Sequence, residues 1–479
     1  MEQKESDWRW PRHGRSETDL MQYISELPEP YNPLGSDGER VPPPFCYPGT
    51  PLLGSLEPLL GRLMAMRSNN IGTHTHGNGF GGEGGFDGWH LMEREALFML
   101  ASVLGAELDE EELNRPNIDG FFCGGGTESN LQGLWQARQW LRQRPDPNNR
   151  GIVVMTTALT HYSVEKACDI LDIGYSKRGK CPICNSDHVF VEDPRGTGVQ
   201  MVALNNRGQM DVQDLYEQIR ERYDQGFRRF AVVPTVGTTA LGSVDPVDEI
   251  SAVLDELKCD LGLEIYVHVD ASFGGFTVPF VAPERSLWFQ NKHVMSVTLD
   301  GDKMGHLPYP GGVFLCRKGM QGLIARQVEY VSGHNDDTLP GSRSAVTGVA
   351  AWFEWRRLGL EGHRFFVQQR LDARDRLRRM IEAESELRGV VEIRPEWLDN
   401  HVNFLPIVID LEKGGVPDRL TEQGGVLAPY HLRSDFCPSG QPDSRGCPVQ
   451  VYKICVMPHT DNWFAEFVRD LVTVSRSVR

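Results

Sequence analysis

The chain has 479 residues, of which 40% are hydrophobic and 24% charged, so it is long enough for two or three packed domains and is not disordered. Its 49 basic and 66 acidic residues give a net charge of −17, which argues against nucleic-acid binding and favours a soluble cytoplasmic protein. We find neither a signal peptide nor the roughly 20 apolar residues of a membrane helix, so neither secretion nor membrane attachment is expected.

Residues 1–115 are predicted to form an N-terminal arm and a helical segment. Residues 1–50 are rich in Pro, Glu and aromatic side chains, with a helical pattern at 16–27. We interpret this part as an arm that lies over a neighbouring subunit, so a homodimer is expected. Helical periodicity returns at 52–70 and leads into a glycine-rich loop and a second helix over 73–105.

Two histidines, His74 and His76, lie close together in that glycine-rich loop. Their spacing resembles a metal-binding pair only superficially, because glycines follow and offer no further ligands. We interpret the segment as a loop that borders a ligand pocket, with His76 as a candidate substrate contact. Glu93 and Glu95, in the helix that follows, are expected to be solvated or paired.

Residues 116–345 alternate between β-branched apolar runs and helical segments such as 212–226. Alternation of this kind is typical of an α/β fold with a mostly parallel sheet and helices on both faces. The strand runs are GIVVMTT, VFVED, VQMVALN, RRFAVVPTV, EIYVHVD, VMSVTL and GGVFLC. Residues 346–479 contain long charged helices, the strand patterns VVEIRP, HVNFLPIVIDL and VQVYKICVM, and a last helix.

A short strand, a glycine turn and an amphipathic helix are predicted over 119–141. The helix would begin near Thr127, directly after Gly125 and Gly126, and its free N–H groups, partial positive charge and hydroxyls suit a phosphate. Such a turn is weak evidence on its own, because many bind nothing. After the next strand, His161 falls at a loop-to-helix junction, where it is either a polar cap or a flat ring stacked on a cofactor.

Two apolar strands end near ionisable side chains in the central stretch, 264–315. The first ends at Asp270 and the second just before Lys303, so both side chains are expected at the carboxyl edge of the sheet, where open α/β sheets bind ligands. A salt bridge is the simpler interpretation of such a pair. The Asp-, Gly- and Pro-rich turn around Lys303 favours chemistry instead. Pyridoxal phosphate catalysis needs both groups: an amine for a Schiff base and a carboxylate that keeps the pyridine nitrogen protonated.

Three more side chains in this region are candidate contacts. Thr238 and Thr239 follow a strand, and their hydroxyls either approach a cofactor or close a capped turn. Arg343 either binds a carboxylate or phosphate, in its own site or in that of a partner subunit, or caps a helix.

Six segments, taken together and in order, resemble the group II pyridoxal-phosphate decarboxylases of the fold-type I superfamily. They are GGTESN, HYSVEKA, PTVGTTALGSVDPVDEI, HVDASFGGF, DKMG…PYPGG and GSRS, spread from Gly124 to Ser344. The resemblance is closest to archaeal-type tyrosine/aspartate decarboxylases, followed by sphingosine-phosphate lyases and glutamate decarboxylases. It implies a fold-type I enzyme with pyridoxal 5′-phosphate as cofactor, a large cofactor domain over 116–345 with a mostly parallel, seven-stranded sheet, and a small α+β domain over 346–479.

The resemblance also assigns roles to individual residues. Lys303 resembles the lysine that forms the Schiff base, Asp270 the partner of the pyridine nitrogen and His161 the histidine that stacks on the ring. Tyr330 matches a mobile-loop tyrosine whose phenol delivers a proton after carbon dioxide leaves. The implied cofactor-binding residues are Gly125, Gly126, Thr127, His161, Thr239, Asp270, Ser272 and Lys303.

Two positions depart from the family pattern. Asp302 stands before the lysine where relatives commonly have histidine, so a phosphate or cofactor contact is lost and a negative charge is added. Ser272 stands where relatives often have alanine, and it still leaves a small side chain under the ring. Cofactor binding is expected despite both changes.

Ten cysteines without a signal peptide favour reduced thiols and no metal. The alternative is a structural zinc site, because Cys181 and Cys184 have zinc-knuckle spacing and Cys437 and Cys447 form a second, wider pair.

These observations predict α-decarboxylation of an L-amino acid to its amine and carbon dioxide. The alternatives are a carbon–carbon lyase or an aldehyde-forming oxidative deaminase with the same cofactor, or a degenerate cofactor-binding regulator. The intact Lys303, Asp270 and His161 disfavour the regulator. Acidic and aromatic substrates are equally compatible with the sequence.

Overall fold

The computed structural model of the chain describes residues 18, 22, 43–50, 56–75, 86–109, 115–174, 177–180, 187–329, 335–409, 429–432 and 449–477. Most of the predicted arm, including the helical pattern at 16–27, lies outside these residues. Within them the helices are α1 (Glu57–Ala65), α2 (Asp87–Val103), α3 (Gly126–Arg142), α4 (Tyr162–Ile170), α5 (Val212–Asp224), α6 (Val247–Leu261), α7 (Val278–Val281), α8 (Val346–Ala383) and α9 (Phe464–Ser477).

The strands alternate with these helices through the middle of the chain, as predicted. They are β1 (Leu108–Asp109), β2 (Arg115–Pro116), β3 (Ile118–Cys123), β4 (Ile152–Thr157), β5 (Lys177–Lys180), β6 (Asp187–Val191), β7 (Gly198–Val202), β8 (Arg229–Val232), β9 (Ile265–Ala271), β10 (Val294–Asp300), β11 (Gly312–Arg317), β12 (Arg326–Gln327), β13 (Asn335–Asp336), β14 (Val391–Glu392), β15 (Phe404–Ile409), β16 (Pro429–Leu432) and β17 (Val449–Cys455).

The main sheet has seven strands in the order β3-β11-β10-β9-β8-β4-β7. Neighbours from β10 to β7 are parallel, and β11 runs antiparallel to both β10 and β3. The mostly parallel sheet is therefore confirmed. The carboxyl ends of β3, β4, β8, β9 and β10 all meet at one edge, and the loops that follow them supply the site described below.

One predicted strand lies elsewhere. The run VFVED forms β6, which pairs antiparallel with β5 in a separate two-stranded sheet. The two strands are close in sequence and joined by a short connection, so they pair locally as a hairpin.

Both faces of the main sheet are covered, which explains its nearly continuous apolar strands. Val153, Val232 and Val267 face one core, which they share with apolar side chains of α2, α5, α6 and α8. The alternate residues Val154 and Ala231 face a second core with α3 and α4. The helix α2, predicted within the N-terminal segment, thus packs on the main sheet.

A second sheet, β14-β15-β17-β16, is antiparallel and forms its own core with the end of α8 and with α9. Its strands confirm the predicted C-terminal strand patterns and add β16. The helix α8 is interrupted at Gly359, whose φ of 66° and ψ of 174° are not helical.

A distant part of the chain completes this second core. Phe45 is fully buried there and stacks on Phe467, with ring centroids 4.5 Å apart. The backbone N–H of Cys455, at the end of β17, donates to the Phe45 carbonyl at 2.7 Å. Residues near the start of the sequence therefore form part of the C-terminal packing unit. Across the described residues, no helix combines the length and apolarity needed to span a bilayer.

Candidate active site

A glycine turn joins β3 to α3 at the edge where the strands end. Gly125 has φ 153° and ψ 179°, a conformation that side chains rarely adopt. A Cβ on Gly126 would lie 2.5 Å from Ser272 Oγ, so a side chain there would collide with the loop after β9. The first N–H groups of α3 have no intrahelical partners and carry the positive end of the helix dipole, which suits an anion.

Asp270 and Lys303 reach this edge from adjacent parallel strands. Asp270 pairs in register with Thr298 of β10, and Lys303 lies in the turn after that strand. Lys303 Nζ is 2.9 Å from Asp300 Oδ2. Burial opposes the charge of this amine, but Asp300, with Asp270 and Asp302, outweighs burial and raises the pKa of Lys303. The amine is therefore charged in the absence of a ligand.

Asp270 is buried and held by three hydrogen bonds. Asn130 Nδ2 donates to Oδ2 at 2.8 Å, while the Ser272 hydroxyl and backbone N–H donate to Oδ1 at 2.6 and 3.1 Å. Burial alone would raise the pKa of this carboxyl, but the hydrogen bonds from the Ser272 hydroxyl and from Asn130 lower it below its usual value. Ser272 is thus more than a small side chain, because its hydroxyl helps to keep Asp270 ionised.

A second layer of polar groups holds Asn130 in place. His268 Nε2 is 3.0 Å from Asn130 Oδ1, and His268 Nδ1 is 2.7 Å from the Ser296 hydroxyl. Burial lowers the pKa of His268 to about 4, so the ring is neutral. This layer was not predicted, although the spacing of His268 and Asp270, two residues apart on one strand, places both on the same face.

His161 takes the capping position of one predicted alternative, and stacking on a cofactor ring stays a prediction. It is the N-cap of α4, where its ring accepts a hydrogen bond from the Ser163 backbone N–H, and Nδ1 lies 2.8 Å from the Ser163 hydroxyl. The same imidazole lines the cavity beside Asp270 and Lys303. Burial lowers its pKa, so it presents a neutral, flat ring.

These side chains surround one cavity of about 650 Å³. It brings together the eight residues predicted to bind a cofactor: Gly125, Gly126, Thr127, His161, Thr239, Asp270, Ser272 and Lys303. The Thr238 hydroxyl instead lies 2.7 Å from the Ser243 hydroxyl and closes a turn, which is the second of the two roles predicted for it.

The model of the pyridoxal-dependent decarboxylase conserved domain matches residues 88–396. The chain belongs to the pyridoxal-dependent decarboxylase family. This finding confirms the predicted resemblance and the predicted cofactor. Pyridoxal 5′-phosphate also fits the cavity, which combines a half-buried amine, an ionised carboxylate, a flat imidazole and a glycine cradle at a helix N-terminus.

Relatives in this family share different lengths of the chain. A tryptophan decarboxylase of Clostridium sporogenes is 32% identical over 295 residues, which make up 61% of this chain and 61% of that protein. A probable L-tyrosine/L-aspartate decarboxylase of Methanothrix thermoacetophila is 26% identical over 477 residues, 98% of this chain and 99% of the relative. The solved L-methionine decarboxylase of Streptomyces sp.590 is 18% identical, with a TM-score of 0.73 and 98% of both chains covered. The last likeness confirms the fold-type I architecture.

Arg343 does not line the cavity. Its guanidinium is 2.8 Å from Glu93 Oε1 and donates to the Gly72 carbonyl at 2.7 Å. Both partners are buried, so the arginine ties the loop before the histidine pair to α2 rather than presenting its charge to a small ligand. Glu93 is therefore paired, as one of its predicted alternatives stated, and Glu95 pairs with Arg356.

Other predicted positions lie outside the described residues. They are His76, Tyr330 and the four candidate zinc ligands Cys181, Cys184, Cys437 and Cys447. Among the residues that are described, no group of three or more His, Cys, Asp or Glu side chains is arranged to hold a metal ion.

The structure adds a buried lysine that the sequence did not single out. Lys453, on β17, is 3% exposed, and its Nζ lies 5.6 Å from the centroid of the Phe273 ring. Lys303 Nζ lies 5.0 Å from the centroid of the same ring, which lines the cavity. Burial, and then the nearby charge of Lys303, lower the pKa of Lys453. A strand of the C-terminal sheet thus places a second amine next to a ring that lines the cavity.

Proposed function

We propose that this protein decarboxylates an L-amino acid with pyridoxal 5′-phosphate and releases the amine and carbon dioxide. The observation that carries the proposal is the ionised, buried Asp270 in the same cavity as the Lys303 amine. When bound, the cofactor supplies an electron sink for the pair left on Cα as carbon dioxide departs. The family and the relatives named above agree with this reaction.

Each protein group has a separate task. Lys303 Nζ would hold the cofactor through its amine. Asp270 holds a proton at the pyridine nitrogen, and Asn130 and Ser272 keep that carboxylate ionised. His161 covers the ring without adding charge. The N–H groups after Gly125 and the Thr127 hydroxyl hold the phosphate.

Three further residues complete the proposal. Tyr330 is the candidate proton donor to Cα, and Thr239 is a candidate cofactor contact. His76 is a candidate substrate contact. Arg343 retains a proposed role only through the loop that it anchors, because its charge is matched by Glu93.

Lys453 is our candidate for binding a substrate carboxylate. A carboxylate beside it would stabilise the ammonium form that burial disfavours, since an opposite charge favours that form. Lys453→Gln should raise KM at least tenfold and leave the cofactor bound. An unchanged KM would remove Lys453 from the substrate site.

The decisive experiment is product analysis by mass spectrometry after incubation with the common L-amino acids and cysteate. Release of carbon dioxide with the matching amine supports the proposal, whereas an aldehyde product would indicate oxidative deamination. Borohydride reduction and peptide mapping should place the cofactor on Lys303, and Lys303→Ala should abolish the label. Label on Lys453, the other amine beside Phe273, would overturn the assignment.

We also propose a homodimer. Apolar side chains remain exposed on or beside α1, α2 and α8, of which α8 packs against the other two: Met64, Met66, Leu91, Leu360 and Phe365. A second copy of the chain that packed on these side chains would remove their apolar surface from water. Light scattering at micromolar concentration tests the proposal, and an active monomer would exclude it. A cytoplasmic location remains a prediction that cell fractionation tests.

A further inference from the structure

Asp302, the residue before Lys303, has an unusual setting for a carboxylate. Its side chain is 3% exposed and lines the cavity. Its Oδ1 has no hydrogen-bond partner in the described part of the chain, and the nearby Tyr309 hydroxyl lowers the pKa of Asp302 without offsetting its burial. No cationic side chain lies within 4 Å of it among those residues, whereas Asp300 is paired with Lys303 Nζ at 2.9 Å. Of the two carboxylates, Asp300 has a cationic partner and Asp302 has none within that distance in this part of the chain.

Close backbone contacts connect Asp302 to the glycine turn that is proposed to hold the phosphate. A Cβ on Gly311 would lie 2.7 Å from Asp302 Oδ1. A Cβ on the next residue, Gly312, would lie 2.5 Å from the Gly125 Cα. Two adjacent glycines therefore touch Asp302 on one side and the turn on the other, so a phosphate at the turn brings further negative charge towards this carboxylate.

The charged and titratable groups around Asp302 do not neutralise it. From its own turn they are Asp300 and Lys303, and Tyr309 follows on the next loop. Other elements contribute groups that interact with Lys303, Asp300 or Tyr309 in turn: Asp270 on β9, Lys453 on β17, His161 at α4 and Tyr47 before α1. Burial, and then Asp300, raise the pKa of Asp302 to about 6. Its proton equilibrium thus lies close to neutral pH, where a nearby anion can shift it.

We propose that Asp302 takes up one proton from solvent when the phosphate of the cofactor binds, so that the bound state holds a carboxylic acid before Lys303. The step converts a carboxylate and a solvent proton into a neutral acid, and no other bond changes. This inference rests on the cofactor assignment of the proposed function but not on which amino acid is the substrate. It explains how the site accommodates an acid where relatives commonly have histidine.

The test uses the full-length apoprotein and 4′-deoxypyridoxine 5′-phosphate, a probe that carries the phosphate but cannot form a Schiff base with Lys303. Titration calorimetry in two buffers of different ionisation enthalpy counts the protons taken up. At pH 7 the wild type should take up nearly one proton more than Asp302→Asn. Above pH 6 the affinity of the wild type relative to Asp302→Asn should fall about tenfold per pH unit, as one-proton linkage requires. The titration of the probe's own phosphate is the same in both proteins and cancels.

Two controls sharpen the result. Without its phosphate, 4′-deoxypyridoxine should give the same proton count in both proteins. Tyr309→Phe keeps the acid but removes the nearby hydroxyl that favours its ionised form, so its proton uptake at pH 7 should fall between the other two. If Asp302→Asn does not fold, the Tyr309→Phe comparison alone decides. Equal proton counts in wild type and variants would overturn the inference. Failure of the wild type to bind pyridoxal 5′-phosphate at Lys303 would instead overturn the cofactor assignment.

Discussion

Asp270 is charged although it is almost fully buried, and three donors explain why. Hydrogen bonds to a charged group contribute about 1.5–3 kcal/mol each, so the Ser272 hydroxyl, the Ser272 N–H and Asn130 together offset the cost of burial. The two carboxylate oxygens offer about four acceptor positions, and the three donors use three of them, so one position remains for a further donor. Such a residue suits the task of holding a proton on the pyridine nitrogen of a bound cofactor.

Asp270→Asn should retain most of the bound cofactor and lose about three decades of kcat, on the order of 4 kcal/mol at 1.36 kcal/mol per decade. Lys303 and the glycine turn hold the cofactor independently, whereas the ring accepts electrons only while its nitrogen is protonated. Single-turnover kinetics on the fully loaded variant measure the loss.

Asp119→Asn is the matched control, because this buried carboxylate accepts from the Gly319 N–H and the Thr75 hydroxyl and does not line the cavity. Its kcat should remain near that of the wild type. A near-normal kcat in loaded Asp270→Asn would show that another residue protonates the ring.

The sequence could identify residues whose position follows from local chain signals. Asp270 and Lys303 each follow a buried strand, and Gly125 precedes a helix, so all were predicted at the correct edge. Arg343 was harder to interpret, because its partner Glu93 lies 250 residues away in sequence. Lys453 likewise reaches the site through the packing of a separate sheet. No periodicity or turn pattern encodes contacts of this kind.

At the level of single elements, α3 depends on glycine at a point where it crosses β9. A Cβ on Gly133 would lie 2.3 Å from His268 Cε1, in the middle of the layer that holds Asn130. The helix can therefore approach the strand closely enough for Asn130 to reach Asp270. Helical periodicity predicted the helix correctly, but it does not reveal that position 133 must lack a side chain.

Gly133→Ala should destabilise the protein by about 1–3 kcal/mol, because the His268 ring is fixed on both nitrogens and must move. It should also weaken retention of the cofactor. Gly61→Ala is the control, since nothing lies within 4 Å of that Cβ on the exposed side of α1, and a gain of about 1 kcal/mol is expected. Urea unfolding measures both. Equal effects would mean that α3 and β9 can separate at no cost.

For the molecule as a whole, buried histidines couple stability to pH. Burial lowers the pKa of His268 and His363 to about 4 and that of His306 to about 3, against about 6.5 in an unfolded chain. Between pH 6.5 and about 4 the unfolded chain binds protons that the folded chain excludes. Stability should therefore fall as the pH falls through this window, by up to about 1.4 kcal/mol per pH unit for each histidine.

His306→Asn should reduce the slope of the unfolding free energy against pH by up to about 1.4 kcal/mol per pH unit, which corresponds to one proton. Neither ring nitrogen of His306 has a hydrogen-bond partner among the described residues, and asparagine tolerates its left-handed φ of 61°. The free energy of urea unfolding, measured from pH 7 to pH 5, gives the slope for both proteins. A slope that the substitution leaves unchanged would show that His306 does not titrate on unfolding.

The second core should depend on Phe45 as strongly as on its own strands. Phe45→Ala removes a fully buried ring that stacks on Phe467, so a loss of about 3–5 kcal/mol is expected in calorimetry or urea unfolding. Leu108→Ala, at a side chain that is 58% exposed, should stay within about 0.5 kcal/mol of the wild type. Similar small losses in both variants would show that the second core closes without Phe45.

The contact between Phe45 and Phe467 can form only late in the synthesis of the chain. More than 400 residues separate the two rings, and ribosomes add about 5–20 residues per second. The Phe45 segment must therefore wait roughly 20–80 s, exposed as an apolar peptide, before its binding partner is made. During this interval the main sheet can already form, but the segment around Phe45 cannot yet pack, because the second core that buries it is incomplete. The Phe45 segment of a newly made chain is thus exposed to aggregation until α9 has been made and can cover it.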